Sequence, residues 1–306
     1  MIARRLGLAA FILLAIVALT YGMMNLVPGD AFVGERSLSG RALEDKIADY
    51  KARHNFPRYV RGILQGDLGT SYPQGETPVW DLIGPAVGVS FALGGLAMGL
   101  ALALGLACGV TGAFFHNRIP DRLAMFLALV GLSVPAFVLG PILQLTLGLR
   151  FHWVDVAGWW HPFGASSSGS WDLMILPALT LSAIPAATIA RLVRSSLLEA
   201  LQQDYVRTAL SKGLSRWKAA IRHGLRNALL PVVAYLGPAA AGVLMGSIVV
   251  EQVFNVPGLG RHFVKGATNR DIEVVLGIVL LDSALLLLFN LLSDLAIRKL
   301  DPRTNP

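Results

Sequence analysis

Charged residues are scarce in this sequence of 306 residues. Asp, Glu, Lys and Arg make up 15% of the chain, whereas 54% of it is hydrophobic. An ordinary soluble domain carries about 25% charged residues. The apolar residues are gathered in blocks long enough to cross a bilayer, which requires about 20 residues of helix. The composition therefore excludes an ordinary soluble domain and predicts an integral membrane protein.

Cysteine and the usual catalytic motifs are also lacking. The single cysteine, Cys108, lies inside an apolar run, so no intramolecular disulfide can form. The sequence has no G-x-x-x-x-G-K-S/T phosphate loop and no acid–base, nucleophile or metal constellation typical of an enzyme. His152, Asp155 and His161 could bind a metal, but their spacing matches no helical or loop signature. We predict a protein that is not an enzyme and that holds no cofactor of its own.

The positive charge does not indicate nucleic acid binding. The net charge is +7, but the basic residues cluster at the ends of apolar runs and no DNA- or RNA-binding motif is present. We therefore exclude nucleic acid as a partner and expect membrane lipid instead.

Six apolar runs predict an all-α membrane protein. We place the spans at 6–27, 87–115, 123–149, 174–194, 229–250 and 274–297. The first run is longer than a signal-peptide core of about 7–15 residues, so we predict an uncleaved span. Several spans contain prolines, whose kinks a packed bundle can cover; these are Pro135, Pro141, Pro177, Pro185 and Pro238.

The distribution of Lys and Arg predicts the orientation of the spans. With the N-terminus inside, 15 of these residues lie in cytoplasmic segments and 11 lie outside, seven of them in the long segment 28–86. Long loops say less about topology than short ones. Both termini are therefore predicted to be cytoplasmic.

The segments predicted to be external contain patterns typical of short helices, turns and interfacial aromatic residues. Ser39 could cap a helix with Leu43, Ile47 and Tyr50 on one face, and a second helix is predicted around 59–64, ending at Gly66. Residues 66–72 are typical of a turn-rich link. The aromatic segment 150–173 is interpreted as interfacial anchors, with contact to a transported molecule as the alternative.

The longest basic stretch between two spans is 199–231. Apolar residues recur at helical spacing on both sides of Gly213, and Gly213 is a natural break between two short helices. Lys218, Arg222 and Arg226 stand four residues apart and form a basic stripe. The pattern indicates either a docking element or a generic positively charged cytoplasmic loop.

This stretch resembles the EAA loop of bacterial ABC importer permeases, the coupling helix that docks on an ATPase subunit. The resemblance is carried by RTALSKG at 207–213 and by Leu230 and Pro231; of the family-wide pattern that begins Glu-Ala-Ala, Ala209 and Gly213 are kept. It implies a type I ABC importer transmembrane domain. The residues that it implies in coupling are Asp204, Tyr205, Arg207, Thr208, Ala209, Lys212, Gly213 and Leu214.

Further motifs along the chain are similar to those of the oligopeptide permease B family. They are PGD at 28–30, GER at 34–36, VPGLG at 256–260, NRD at 269–271 and LDPR at 300–303. The resemblance implies a first span (1–27), an external segment (28–86), a core transmembrane domain (87–297) with the coupling loop at about 199–228, and a cytoplasmic tail (298–306). Between His54 and Tyr59 the chain is shorter than the family pattern.

The resemblance also implies partners and a location. The partners are a homologous second permease, one or two ABC ATPases that bind ATP and magnesium, an extracytoplasmic binding protein and a peptide. The location is the bacterial inner membrane.

Two alternatives to oligopeptide import stay open. The same family also transports dipeptides, nickel complexes or haem. A more distant alternative is an ion-coupled secondary transporter that uses Asp282, since an acid inside a span is a functional hypothesis by default. Candidate pore or packing residues are Pro238, Gly242, Gly246 and Asp282.

Overall fold

The computed structural model describes residues 2–26, 55–156 and 171–300, and these residues are mostly helical. The predicted helix after Ser39 lies outside the described residues. The helices are α1 (Ile2–Leu26), α2 (Phe56–Leu64), α3 (Val79–Phe114), α4 (Ile119–Ser133), α5 (Ala136–Leu143), α6 (Ile175–Leu201), α7 (Asp204–Ser211), α8 (Arg216–Ala219), α9 (Leu225–Ala228), α10 (Leu230–Val253), α11 (Leu259–Asn269) and α12 (Ile272–Leu300). Two π-helices (Gln144–Arg150 and Ala220–Gly224) and a 3-10 helix (Trp171–Met174) complete the helical structure of the described ranges.

Five of these helices are long and apolar enough to cross a membrane. They are Gly7–Met24 within α1, Val79–Phe114, Asp172–Leu201, Leu230–Val253 and Ile272–Leu300. Ile119–Ser133 and Ala136–Arg150 make up a sixth span if the two are counted together. The predicted positions of the spans therefore hold, although most helices extend beyond the apolar runs.

The third predicted span is not one continuous helix. Its two halves are bent by 113°, and the break lies at Val134 and Pro135, both of which have extended backbone angles. Proline lacks the amide hydrogen that the helix needs and disfavours helical angles in the residue before it. Pro141, Pro185 and Pro238, in contrast, lie inside helices that continue through them.

Contacts divide the chain into two compact units. The first consists of Met1–Ser90 and Pro257–Leu287. Its core contains Val79, Ile83, Leu259, Val274 and Ile278 from α3, α11 and α12. The second consists of Phe91–Val256 and Leu288–Pro306 and contains the stretch around Gly213.

The part of the first unit that is predicted to be external contains the second short helix that the sequence predicts. Helix α2 begins after Asn55, whose side chain accepts a hydrogen bond from the Arg58 amide at 3.1 Å. The turn-rich link that follows contains Gly66 and Gly69 with positive φ. It then pairs as a two-stranded antiparallel hairpin, β1 (Thr70–Ser71) with β2 (Thr77–Pro78).

Two motifs that carried the family resemblance lie at the starts of helices α11 and α12. In VPGLG, the Leu259 amide at the start of α11 donates to the Ser90 hydroxyl of α3 at 2.9 Å. In NRD, buried Asp271 precedes α12, accepts from the Val274 amide at 3.4 Å and accepts a hydrogen bond from the Ser71 hydroxyl. Both motifs thus connect segments that are distant in sequence.

The small-residue face of α10 permits a close helix approach in the second unit. A Cβ at Gly237 would lie 3.0 Å from the Phe289 carbonyl oxygen of α12. Beside it, the Ser293 hydroxyl donates to the Val233 carbonyl at 2.6 Å. The backbones of α10 and α12 meet here because Gly237 has no side chain.

Candidate functional site

The stretch around Gly213 folds as two short helical segments joined by a tight turn. Helix α6 ends at Leu201, two residues follow, and α7 then runs to Ser211. Gly213 has φ +88°, its amide donates to the Leu210 carbonyl at 2.9 Å, and the Leu214 amide donates to the Ala209 carbonyl at 3.2 Å. This pair of bonds is a Schellman motif, which favours glycine at its left-handed position.

The segment after the turn is less regular than the sequence predicts. Ser215 caps α8 by accepting from the Lys218 amide at 3.4 Å. The chain then continues as the π-helix Ala220–Gly224 and as α9. Gly224 lies against α6, because a Cβ there would be 3.0 Å from the Leu197 side chain.

A small apolar cluster holds the two segments together. Val206 and Ala209 of α7 and Ala219 of α8 are buried, with Leu201 and Leu214 packed against them. The Asn227 amide nitrogen also donates to the Tyr205 hydroxyl at 2.9 Å. The segments before and after Gly213 therefore pack against each other around a small apolar core.

The folded loop is anchored to α3 and α6. The Trp217 and Phe114 rings pack edge to face, with centroids 4.7 Å apart. Ala228 of α9 is buried with Ala113 of α3 and Leu197 of α6. These contacts connect the loop directly to the ends of two long helices.

The loop also has an exposed surface that is both apolar and basic. We call it the loop surface and define it by the following exposed residues. They are Tyr205, Arg207, Leu210, Lys212, Arg216, Trp217, Lys218, Ile221, Arg222 and Arg226. The solvent-exposed fraction of Trp217 is 53% and that of Tyr205 is 41%. Exposed aromatic residues together with arginines are typical of protein interfaces.

The residues implied by the coupling resemblance have two kinds of surroundings. Ala209 is buried and Leu214 is half-buried in the small cluster. The others are exposed: Asp204, Tyr205, Arg207, Thr208, Lys212 and Gly213. Asp204 and Arg207 form an exposed ion pair at 3.9 Å, which contributes little to stability. The structure thus separates residues that shape the loop from residues that present a surface.

The candidate pore or packing residues are not gathered into one site. Pro238 and Gly242 are exposed on α10, and no atom lies within 4 Å of a Cβ built at Gly242. Gly246 belongs to the same helix, but its surroundings lie outside the description. Asp282 is half-buried and belongs to the first unit.

Sequence reasoning missed a buried ion pair near the loop. Asp121, in the first turn of α4, is 3% exposed. It accepts from Arg194 of α6 through both carboxylate oxygens, at 2.6 and 2.8 Å. A proline-started helix with an acid in its first turn is visible in the sequence, but no pattern pairs that acid with an arginine 73 residues later.

No metal site is found in the described ranges, where no group of three His, Cys, Asp or Glu residues could hold an ion. His161, part of the metal hypothesis, lies outside these ranges.

Comparison with known proteins gives the family. The profile described as "Binding-protein-dependent transport system inner membrane component" matches residues 99–306. The oligopeptide transport system permease protein OppB of Haemophilus influenzae is 35% identical over 295 residues, covering 95% of this chain and 94% of the relative. The dipeptide transport system permease protein DppB of Bacillus subtilis is 37% identical over 307 residues, covering 99% and 96%.

Solved structures show the same fold. An amino acid ABC transporter crystallised with histidines matches with a TM-score of 0.55 at 18% identity, covering 72% of this chain and 94% of that one. The MetNI methionine ABC transporter in an inward-facing conformation matches with a TM-score of 0.56 at 17% identity, covering 72% and 96%. With a profile match over more than half of its length and relatives above 30% identity along nearly all of it, the chain belongs to the binding-protein-dependent transport system inner membrane component family, the permease subunits of ABC importers.

Proposed function

We propose that this chain is one of two permease subunits in an ATP-driven peptide importer. The observation that carries this proposal is identity of 35–37% to permeases named for oligopeptides and dipeptides, over 95–99% of the chain. The second permease would complete the pore, and one or two ATPases would bind and hydrolyse ATP. An external binding protein would deliver the peptide. Both termini and the loop surface would then face the cytoplasm.

We propose the loop surface as the contact with an ATPase subunit. The exposed side chains of Tyr205, Leu210 and Trp217 can fill an apolar cleft, and the basic residues of the loop surface can pair with acids of the ATPase. Ala209, Gly213 and Leu214 act differently, since they hold the shape of the turn. Phe114 and Leu197 would receive the displacement of the loop and pass it to α3 and α6.

The partners are tested by purifying the tagged chain from gently solubilised membranes and identifying the associated proteins by mass spectrometry. We expect a homologous permease and one or two ATPases that carry a phosphate loop. The chain purified alone, folded and membrane-inserted, would contradict the proposal. That result would favour the alternative of an ion-coupled carrier, and Asp282 would then be the first residue to substitute.

The substrate is tested by uptake in a strain that lacks the importer. Labelled dipeptides and tripeptides are supplied with and without the restored chain and its partners, and nickel and haem uptake are measured in parallel. We expect restored peptide uptake only. Restored uptake of nickel or haem, with no uptake of peptide, would replace the proposed substrate.

The contact surface is tested by charge reversal. We expect Arg207→Glu with Lys212→Glu to lower ATPase co-purification and uptake at least about tenfold, because like charges that face each other across an interface repel. Arg191→Glu is the matched control, because Arg191 is an exposed basic residue of α6 outside the loop. Equal ATPase retention in the loop variant and the control would contradict this role.

A further inference from the structure

The loop is continuous with a closely packed pair of helices, α3 and α6. A Cβ at Gly105 would lie 2.7 Å from the Ile189 side chain, and one at Gly109 would lie 2.6 Å from the Val193 side chain. Neither position has room for a side chain, so the two backbones touch. Helices packed this closely have little room to slide past each other.

The first turn of α4 is connected to this pair by Asp121 and Arg194. The Arg194 Nε donates to one Asp121 oxygen at 2.6 Å and Nη2 donates to the other at 2.8 Å. The Asn117 amide also donates to Asp121 at 2.8 Å, and the His116 Nδ1 lies 3.1 Å from Arg194 Nη2. Both carboxylate oxygens and the turn between α3 and α4 are thus part of one network.

This arrangement suits positioning better than stability. Removing two charges from water is costly, and an apolar pair of similar volume is often at least as stable. A two-pronged arginine–carboxylate contact, in contrast, fixes both distance and orientation. Side-chain exposure is 4% for Asp121 and 25% for Arg194, so solvent weakens the contact little.

The position of the pair gives it a mechanical role. Arg194 lies seven residues before the end of α6 at Leu201, which is about 10 Å along a helix. Helix α7 of the loop begins at Asp204, after two intervening residues. We infer that Asp121 and Arg194 are positioning residues that make α4 follow α6 when the loop is displaced. This inference rests on the proposed coupling function.

The test uses the complete complex with its ATPases in proteoliposomes. Labelled tripeptide uptake and ATP hydrolysis are measured together for Arg194→Gln, Asp121→Asn and the double variant. We expect each single variant to lower the peptide transported per ATP about tenfold, within the range of energetic coupling between sites. The double variant should be no worse than either single one, because the two residues act as one unit.

Two variants separate positioning from folding. Arg194→Lys keeps the charge without the two-pronged contact and should recover only part of the coupling. Asp121→Leu with Arg194→Met removes both charges and leaves neither unpaired, so the protein should fold while coupling stays low. Arg191 is exposed and lies three residues from Arg194 on the same helix. Arg191→Gln should therefore transport as much peptide per ATP as the protein without substitutions. Normal transport per ATP in the Leu/Met variant would overturn the inference.

A second measurement does not depend on the substrate. Spin labels at Leu127 of α4 and Glu199 of α6, both exposed, report the distance between the helices in a Cys108→Ala background. When Asp121 and Arg194 are both present, we expect the distance between the labels to be the same with and without trapped ATP. In Arg194→Gln, we expect this distance to change when ATP is trapped. An unchanged distance in Arg194→Gln would overturn the inference. If the unchanged complex contains no ATPase, the proposed function itself fails and the inference falls with it.

Discussion

At the scale of single residues, Gly213 has the strictest backbone requirement in the loop. Its φ of +88° costs a residue with a side chain about 1–2 kcal/mol, and Asn tolerates it better than Ala. Proline cannot adopt it and would also remove the amide bonded to Leu210. We expect ATPase co-purification and uptake to fall in the order Asn, Ala, Pro at position 213, with membrane insertion unchanged. Full uptake by Gly213→Pro would contradict a role for this turn.

Tyr59 of α2 gives the stability of the first unit a pH dependence. Burial raises the pKa of its hydroxyl above the usual 10, and nearby Glu273 and Asp67 raise it further. Because the folded state holds this proton while an unfolded chain releases it above about pH 10, stability falls as the pH rises through that value.

Tyr59→Phe tests this effect. The hydroxyl is buried and has no hydrogen-bond partner in the described ranges, so at pH 8 the variant should be unchanged or more stable by about 1 kcal/mol. Thermal unfolding at pH 8 and 10.5 should show a smaller alkaline loss for Tyr59→Phe than for the unchanged protein. Tyr205→Phe, whose ring is exposed, should keep the full loss. Equal losses in all three would refute the assignment.

At the scale of elements, the helices of the loop depend on the cluster around Ala209. A glutamate there would place a charge among Val206 and Ala219, which are fully buried, at a cost of about 2–4 kcal/mol. We expect Ala209→Glu to separate α7 from α8 and to abolish uptake while the protein still inserts. Thr208→Glu is the control for cleavage of the loop only, since Thr208 is exposed but is one of the residues implied in coupling. Protease cleavage of the loop measures the separation, and equal cleavage in both variants would count against the cluster.

The elements also show where sequence patterns were sufficient. Gly213 marked the turn, and the apolar spacing at 59–64 marked α2, because both patterns report local backbone geometry. The third span was predicted as one helix, yet it breaks at Pro135. The apolar run continues across the proline, so hydropathy alone could not distinguish a kink from a bend of 113°.

At the scale of the whole molecule, the orientation in the membrane stays a prediction. Single cysteines at Gln74 and Arg222, both exposed, test it in a Cys108→Ala background. We expect a membrane-impermeant thiol reagent to label Gln74→Cys in intact spheroplasts, and Arg222→Cys only after permeabilisation. The reverse pattern would invert the topology and remove the loop surface from the cytoplasmic ATPases.

The sequence by itself determined the membrane class, the approximate positions of the spans and the place of the loop. Each of these depends on hydrophobic length, charge bias or a local backbone preference, all of which can be observed along the chain. Only the tertiary structure decided that Ala209 is buried while Trp217 is exposed, and that Asp121 pairs with Arg194 73 residues away. Side-chain environment and distant pairing depend on which helices pack together, and helix packing is a property of the folded bundle rather than of any one segment.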